Sequence, residues 1–359
     1  MSDETLSLAQ TQERSRITAQ MQDQATSLDE LDLQLVNALQ IAPRAAWSQV
    51  GAVLGIDPVT AARRWARLER SGLAWISGYP PISPTQANAF VEIECEPGRG
   101  LTVARELATD PQAMTVDVTA GGRDVLVTVN TPSPEVLSGY LLDRMTRVEH
   151  LRQVRSHLVV RAYTEASRWR LRALDHDQVA RMIREADEAG DRAPGPLSDA
   201  DWTIAVALAA DGRTPVGTLA EAAATSTSTV RRRLARLIAN QQLRLRCELA
   251  RKLSGWPVYA WFFARVSPAH LEETARALAR IPEVRAVTST AGPYNLIIAV
   301  WLRSLIDVQE LETHMARRLP HLDIVDRSIV VRPVKLVGRL LDKHGYATGT
   351  VSLDTRSCP

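Results

Sequence analysis

The side chains best placed to do chemistry in this sequence are arginines, gathered in two short runs. The first is Asp57-Pro58-Val59-Thr60-Ala61-Ala62-Arg63-Arg64-Trp65-Ala66-Arg67-Leu68-Glu69-Arg70. Asp57 can cap a helix and Pro58 fits the first helical position. Ala61, Trp65 and Leu68 fall at i, i+4 and i+7 as an inward stripe. Thr60, Arg63 and Arg67 lie roughly opposite, with Arg64 on the flank. A short helix with one packed face and one arginine face suits a DNA major groove. There a bidentate arginine–guanine pair discriminates by about 1–3 kcal/mol.

The run occurs twice. A gapless register matching Leu28 to Leu197 pairs Asp32 with Asp201, Arg44 with Arg213, Thr60 with Thr229 and Arg63-Arg64 with Arg232-Arg233. It also pairs Ala66-Arg67-Leu68 with Ala235-Arg236-Leu237. In the second helix Val230, Leu234 and Leu237 form the core stripe; Ser228, Thr229, Arg232 and Arg236 face away, and Arg231 and Arg233 flank them. A repeat of about 170 residues is too long for a solenoid unit and marks a duplicated multi-domain module.

The elements around these helices fit that reading. A helix from Leu28 to Gln40, a short one from Trp47 to Leu54 and a turn at Gly55-Ile56 precede Asp57, a helix-turn-helix pattern. After Pro80-Pro81 the period changes from helical to alternating: Val91, Ile93 and Cys95 alternate with acidic neighbours as a half-buried strand. A helix (100–108), strands (114–119 and 125–129), a helix (133–145) and a strand (154–162) complete a β-α-β-β-α-β order, a ferredoxin-like sandwich. The second copy predicts helices at 199–209, 215–223 and 227–240, then strand 258–266, helix 268–280, strands 284–290 and 296–301, helix 304–318 and strand 324–334.

The expected architecture is α+β: two winged helix-turn-helix domains alternating with two sandwiches. Its parts are a mobile tail (1–27), helix-turn-helix units (28–78 and 197–247) and sandwiches (87–163 and 256–337). A linker with a helix near 175–189 (164–196) and a tail (338–359), polar and frayed from Gly345, complete it.

Composition narrows the class. Net charge is +2, so basic character is local to the two helices. Cys95, Cys247 and Cys358 lack metal spacing and fit a reducing compartment. The seven histidines show no ligand spacing, so neither a metal nor a cofactor is expected. With no apolar run long enough to span a bilayer and no apolar leader core, the expected location is the cytoplasm.

Leu28-Asp29-Glu30-Leu31-Asp32, the helix-turn-helix and the following sandwich resemble the Lrp/AsnC family of bacterial transcription regulators. The resemblance covers Leu28–Tyr163 and again Leu197–Val337. It implies DNA binding by the amino-terminal unit, with a sandwich that dimerises and takes an amino acid or related effector near a Gly-x-Tyr-Asp loop. That loop reads Gly121-Gly122-Arg123-Asp124 in the first copy and Gly292-Pro293-Tyr294-Asn295 in the second, so the first lacks the Tyr and the second replaces the Asp. Gly121, Asp124, Gly292, Tyr294 and Asn295 are the effector candidates; for the glycines and Asp124, turn duty is the competing reading.

The resulting expectation is a non-enzymatic regulator that binds double-stranded DNA. Thr60, Arg63, Arg67, Ser228, Thr229, Arg232 and Arg236 face bases, while Arg64, Arg70, Arg231 and Arg233 contact phosphates. The two sandwiches are expected to pair within the chain as a pseudo-dimer, with exchange between chains and higher homo-oligomers left open. Two alternatives stand beside this. One is an enzyme resembling the sirohaem decarboxylases, which share the family fold but would carry a His-Asn-Tyr-type loop. The other is an interaction scaffold that has lost DNA binding.

Overall fold

The computed structural model describes residues 28–79, 86–165, 169–184 and 197–354. The expected amino-terminal tail and part of the linker lie outside the described residues. Three helices open the first module: α1 (Glu30–Ile41), α2 (Trp47–Leu54) and α3 (Pro58–Arg70). Asp29 and Asp32 cap α1 reciprocally, and Asp57 caps α3 by accepting from Val59 N at 2.8 Å. Gly55 takes φ +70° at the end of α2, the turn its sequence predicts. The inward stripe Ala61, Trp65 and Leu68 packs with Leu35, Leu39 and Val50.

The chain then runs through β1 (Ala74–Tyr79), β2 (Ala87–Cys95), α4 (Gly100–Leu107), β3 (Ala113–Gly121), β4 (Val125–Thr131), α5 (Pro134–Gly139), β5 (Leu151–Thr164) and α6 (His176–Arg184). The second module follows with α7 (Asp199–Ala210), α8 (Val216–Ala222), α9 (Thr227–Ala239), β6 (Arg244–Leu249), β7 (Val258–Val266), α10 (Leu271–Leu278), β8 (Val284–Ala291), β9 (Leu296–Leu302), α11 (Ile306–Arg318) and β10 (Leu322–Leu336). Short strands β11 (Arg339–Leu341) and β12 (Ala347–Thr350) end it.

The two sandwiches share one sheet. Its order is β12-β11-β10-β3-β4-β2-β5-β8-β9-β7, and a further β10–β7 pairing closes eight of these strands on themselves. Two of the ladders cross between modules: β5 with β8 (Leu158↔Ala291) and β10 with β3 (Ile329↔Ala120). The sequence register relates these two ladders to each other, so the closed sheet has a pseudo-two-fold axis. Within this chain the two sandwiches thus face each other across two strand ladders. One apolar core contains residues of α4 and α5, a second residues of α10 and α11. A third, with Phe90, Leu126, Tyr259, Trp261, Phe263, Ile297, Ala299 and Trp301, lies between the two modules.

Four features differ from the sequence reading. Among the described residues, the strand after each recognition helix does not form a wing within its own unit. Instead β1 pairs antiparallel with β6, from Ala74↔Leu249 to Tyr79↔Arg244, because each copy supplies the backbone partners a lone strand lacks. The same junction is tied by matched arginines: Arg44 donates to Gly212 O (2.7 Å) and Thr214 O (3.0 Å), and Arg213 to Pro43 O (2.7 Å) and Ala45 O (2.9 Å). The helix expected over 133–145 is regular only to Gly139, then widens to a π turn (Tyr140–Arg144) that buries Tyr140.

The tail from Gly345 is also not frayed over its described part, which ends at Asp354. Ala347 N donates to Gly72 O (2.9 Å) beside the first unit, and Trp202 of the second donates to Asp354 Oδ1 (3.0 Å). Leu353 is buried with Val337 and Ala209, and Tyr346 packs against the core of the first unit, apolar anchors that a polar average conceals. Finally, β2 is not half-buried: Glu92, on the face expected to meet solvent, is 2% exposed because the other module covers it.

Candidate nucleic-acid interface and effector loops

Each recognition helix divides its arginines between two tasks. On α3, Arg64 Nη1 donates to Asp29 Oδ2 (2.7 Å) and Asp32 Oδ1 (2.9 Å), and Arg67 pairs with the other oxygen of Asp32. On α9, Arg233 donates to Asp201 Oδ1 (2.9 Å) and Ser198 Oγ (2.9 Å), and Arg236 Nη2 meets Asp201 Oδ2 at 2.7 Å. Asp32 and Asp201 are 1–2% exposed. Burial alone would raise the Asp201 carboxyl; donors from Ser198, Arg233 and Arg236 reverse this and pull it down to about 2.

These ion pairs give four of the arginines expected at DNA a structural task as well. Arg67 and Arg236, expected at bases, and Arg64 and Arg233, expected at phosphates, clamp the recognition helix to the first helix of its own unit. The signal was in the sequence: Asp32 and Asp201 recur in the same register as these arginines.

What remains outward is smaller and clearer. Arg63, Arg70, Arg231, Arg232 and Ser228 are exposed, Thr60 and Thr229 half-buried. Among the described residues none of these four arginines forms an ion pair; Arg70 Nε donates to Ala66 O of its own helix. Ser226 caps α9, and its hydroxyl also meets Ser228 Oγ and Thr229 Oγ1 at 2.9 Å, so those hydroxyls are partly committed.

The Gly loops hold the sandwich ends. Asp124 Oδ2 accepts from Cys95 N (2.7 Å), while Asn295 accepts from Val266 N (2.9 Å) and donates to Val266 O (2.7 Å), the matching strand ends of the two copies. Gly121 (φ +132°) and Gly292 (φ +153°) sit where a Cβ would come within 2.7 Å of Arg327 O and 2.8 Å of His157 Nδ1. These contacts satisfy the turn reading of Gly121, Gly292 and Asp124. Tyr294 packs edge-on against Phe263 and tilted against His157, with ring centroids 5.5 and 5.6 Å apart.

Arg123, which sequence reasoning left aside, is 3% exposed. It donates to Glu92 Oε2 (2.8 Å) and Ser328 Oγ (2.6 Å), pairs with Asp326, and lies 3.8 Å over the Phe263 ring. Glu92 also meets His157 Nε2 at 2.6 Å. Among the described residues no helix is long and apolar enough to cross a membrane.

Comparison with known proteins agrees with this architecture. The AsnC-type helix-turn-helix domain matches residues 28–69 and 197–238, and the Lrp/AsnC ligand binding domain matches 88–169 and 260–340. An uncharacterized HTH-type transcriptional regulator of Pyrococcus abyssi is 25% identical over 147 residues, 40% of this chain and 89% of that protein. The HTH-type transcriptional regulator FL11 of Pyrococcus horikoshii is 25% identical over 145 residues, 39% of this chain and 94% of that protein. Both relatives are archaeal and each corresponds to one module, so neither supports the expected bacterial source. Among solved structures, the siroheme decarboxylase NirDL, in complex with an iron-uroporphyrin III analogue, superposes over 86% of this chain and 93% of its own. Its TM-score is 0.56 at 15% identity, a likeness of fold across both modules. The domain matches span more than half of the chain, which therefore belongs to the Lrp/AsnC family as a transcriptional regulator with its helix-turn-helix and ligand-binding domains each present twice.

Proposed function

We propose that this chain is a sequence-specific double-stranded DNA-binding regulator that acts in the cytoplasm as an intramolecular pseudo-dimer. The observation that carries the reading is the division of arginines. One set fixes each recognition helix, and Arg63 and Arg232, at matching positions, stay exposed on its outer face. Arg63→Ala and Arg232→Ala should each weaken specific binding by about 1–3 kcal/mol if each reads a guanine. Both leave thermal stability within about 0.5 kcal/mol, as exposed substitutions do. Affinity unchanged in both single variants and in the double variant removes the groove assignment.

Phosphate contact then falls to Arg70 and Arg231, with Arg63 and Arg232 close by. Although α9 has the longer arginine run, each helix has two exposed arginines once the clamping ones are set aside. The log–log salt slope falls by about 0.9 for each phosphate no longer neutralised, so by about 2 at most for each pair replaced. Arg63/Arg70→Ala and Arg231/Arg232→Ala should therefore flatten the slope by similar amounts; a change confined to the second pair would assign phosphate binding to α9 alone. The helices still differ at Val59/Ser228, Ala62/Arg231 and Trp65/Leu234, so a non-palindromic operator is expected.

The sirohaem decarboxylase-like alternative has the whole-chain likeness of fold in its favour. Against it, the loop residues of this chain are spent on structure, Arg123 on ion pairs and Asn295 on Val266. Incubation with sirohaem, followed by mass spectrometry, tests it: loss of carboxyl mass would overturn the regulator reading.

A further inference from the structure

A cavity of about 500 Å³ lies between the two modules, on the side of the paired strands β1 and β6. Its size is that of a site for a drug-sized molecule. Trp75 and Tyr79 from β1 and Arg246 from β6 line it together with Phe90, Tyr259, Trp261 and Trp301 from the sandwiches. Aromatic side chains therefore supply much of its wall.

Among the described residues, the buried polar atoms of this wall that lack a partner are mostly donors, with Asn88 Oδ1 and one oxygen of Asp117 as the acceptors. Arg246 is 4% exposed; its Nη1 donates to Tyr79 Oη (2.6 Å) and its Nε pairs with Glu248, yet its Nη2 is buried without a partner. Arg251 has both Nε and Nη1 buried and unpartnered, and the indole N–H groups of Trp75 and Trp301 are in the same position. Arg285 also lines the cavity, 3.4 Å over the Trp301 ring, and shares Glu248 with Arg246 (2.9 and 3.0 Å). One buried glutamate thus serves two buried arginines. Asp117, 1% exposed, keeps one oxygen unpartnered, and burial pushes its carboxyl up to about 7. The wall carries excess positive charge and spare donors, which calls for an anion.

The duplication supplies an independent observation. In the register matching Thr119-Ala120-Gly121 to Thr290-Ala291-Gly292, Tyr259 corresponds to Asn88, Trp301 to Asn130, Arg285 to Met114 and Thr288 to Asp117. Both members of each pair line this cavity, so it straddles the pseudo-two-fold axis. Arginines have gathered on the second copy's half, with Arg244, Arg246, Arg251, Arg285 and Arg332 against Arg161 of the first, while both copies supply aromatic side chains. A cavity serving two equivalent half-ligands would keep the halves alike.

We infer that this cavity is a single effector site, separate from the Gly loops, for a planar aromatic ligand bearing a carboxylate or comparable anion. The aromatic walls take the ring system, and Arg246 and Arg251 take the anionic group. Position makes the site regulatory: β1 begins four residues after α3 ends, and β6 five after α9 ends, so the ligand touches strands continuous with both recognition helices. The inference rests on the regulator reading only for that coupling.

The test uses the full chain and two fluorescent probes of similar shape, anionic anilinonaphthalene sulfonate and neutral N-phenylnaphthylamine. The anionic probe should bind once per chain, at least tenfold tighter than the neutral one. Arg251→Met should weaken it about tenfold or more, as loss of a charged hydrogen bond does. Trp301→Asn, which installs the first copy's residue, should weaken both probes. Arg63→Ala should leave probe binding unchanged while lowering operator affinity, so failure of the DNA reading and failure of this site are read separately. Thermal melts establish that the variants are folded; Arg251→Met, on a half-buried side chain, is the variant that decides if Trp301→Asn does not fold. Equal affinity for the two probes, two bound per chain, or a folded Arg251→Met variant of wild-type affinity would overturn the assignment.

Discussion

Asp201→Ala is expected to destabilise the second helix-turn-helix unit by about 3–5 kcal/mol, the range for removing one partner of a buried ion pair. The Asp201 side chain is 2% exposed and serves Arg233 and Arg236 at once. Its removal leaves two arginines against the end of α7, with Ser198 Oγ and Gln242 Oε1 (3.5 Å) as their remaining polar contacts. Asp201→Asn keeps an acceptor but loses the charge, and should cost less, about 1–3 kcal/mol. Denaturant unfolding of the two variants gives the ordering. A loss under about 0.5 kcal/mol for Asp201→Ala would make the ion pair a solvated surface contact.

The same carboxylate gives a pH signature. Its folded-state pKa is about 2 against an ordinary 3.8. A depressed carboxyl contributes stability that is fully present above the unfolded value and lost as pH falls through the folded one. The contribution is about 2 kcal/mol at neutral pH and should disappear between pH 4 and pH 2. Wild type and Asp201→Asn should therefore converge in stability across that window. Parallel curves would remove the linkage.

How much of this could be read from the chain follows from where each signal resides. The helix trios and sandwich strands are carried by local periodicity, so α2 and β7 match their predicted bounds. The strands β1 and β6 have no such signal. Trp75, Ser77 and Tyr79 form one face of β1, and their partners Glu248, Arg246 and Arg244 lie in the other module. The recognition helices were legible as helices, but the ion pairs that hold two arginines of each were not. A helical wheel places Arg64 and Arg67 outward but does not show Asp32 reaching them from α1. Glu92 is the same error on a strand: alternation gives its face, and only the pairing of modules decides whether that face meets water.

That pairing yields the other large effect. Glu92→Ala should cost about 3–5 kcal/mol, because Glu92 holds two buried groups, Arg123 at 2.8 Å and His157 at 2.6 Å. The loss should fall mainly on the contact between modules, since Arg123 continues to Ser328 and Asp326 of the second copy. In the sandwich register, Glu92 corresponds to Phe263, Arg123 to Tyr294, Arg155 to Asp326 and His157 to Ser328. Two first modules brought together in this geometry would therefore set Arg123 against Arg155 and His157 in place of Asp326 and Ser328. Two second modules would set Tyr294 against Asp326 and Ser328 and lose the arginine bridge. The observed pairing is the one that gives Arg123 its acids and its serine, so the duplication has made the two copies partners of each other. Separate chains spanning 28–163 and 197–354 should accordingly form a one-to-one complex at micromolar concentration in preference to either homodimer. Glu92→Ala should weaken that complex more than it lowers the melting temperature of the first module alone. Homodimers without the mixed species, or a Glu92→Ala complex of unchanged affinity, would show that Arg123 and its partners follow the pairing and do not select it.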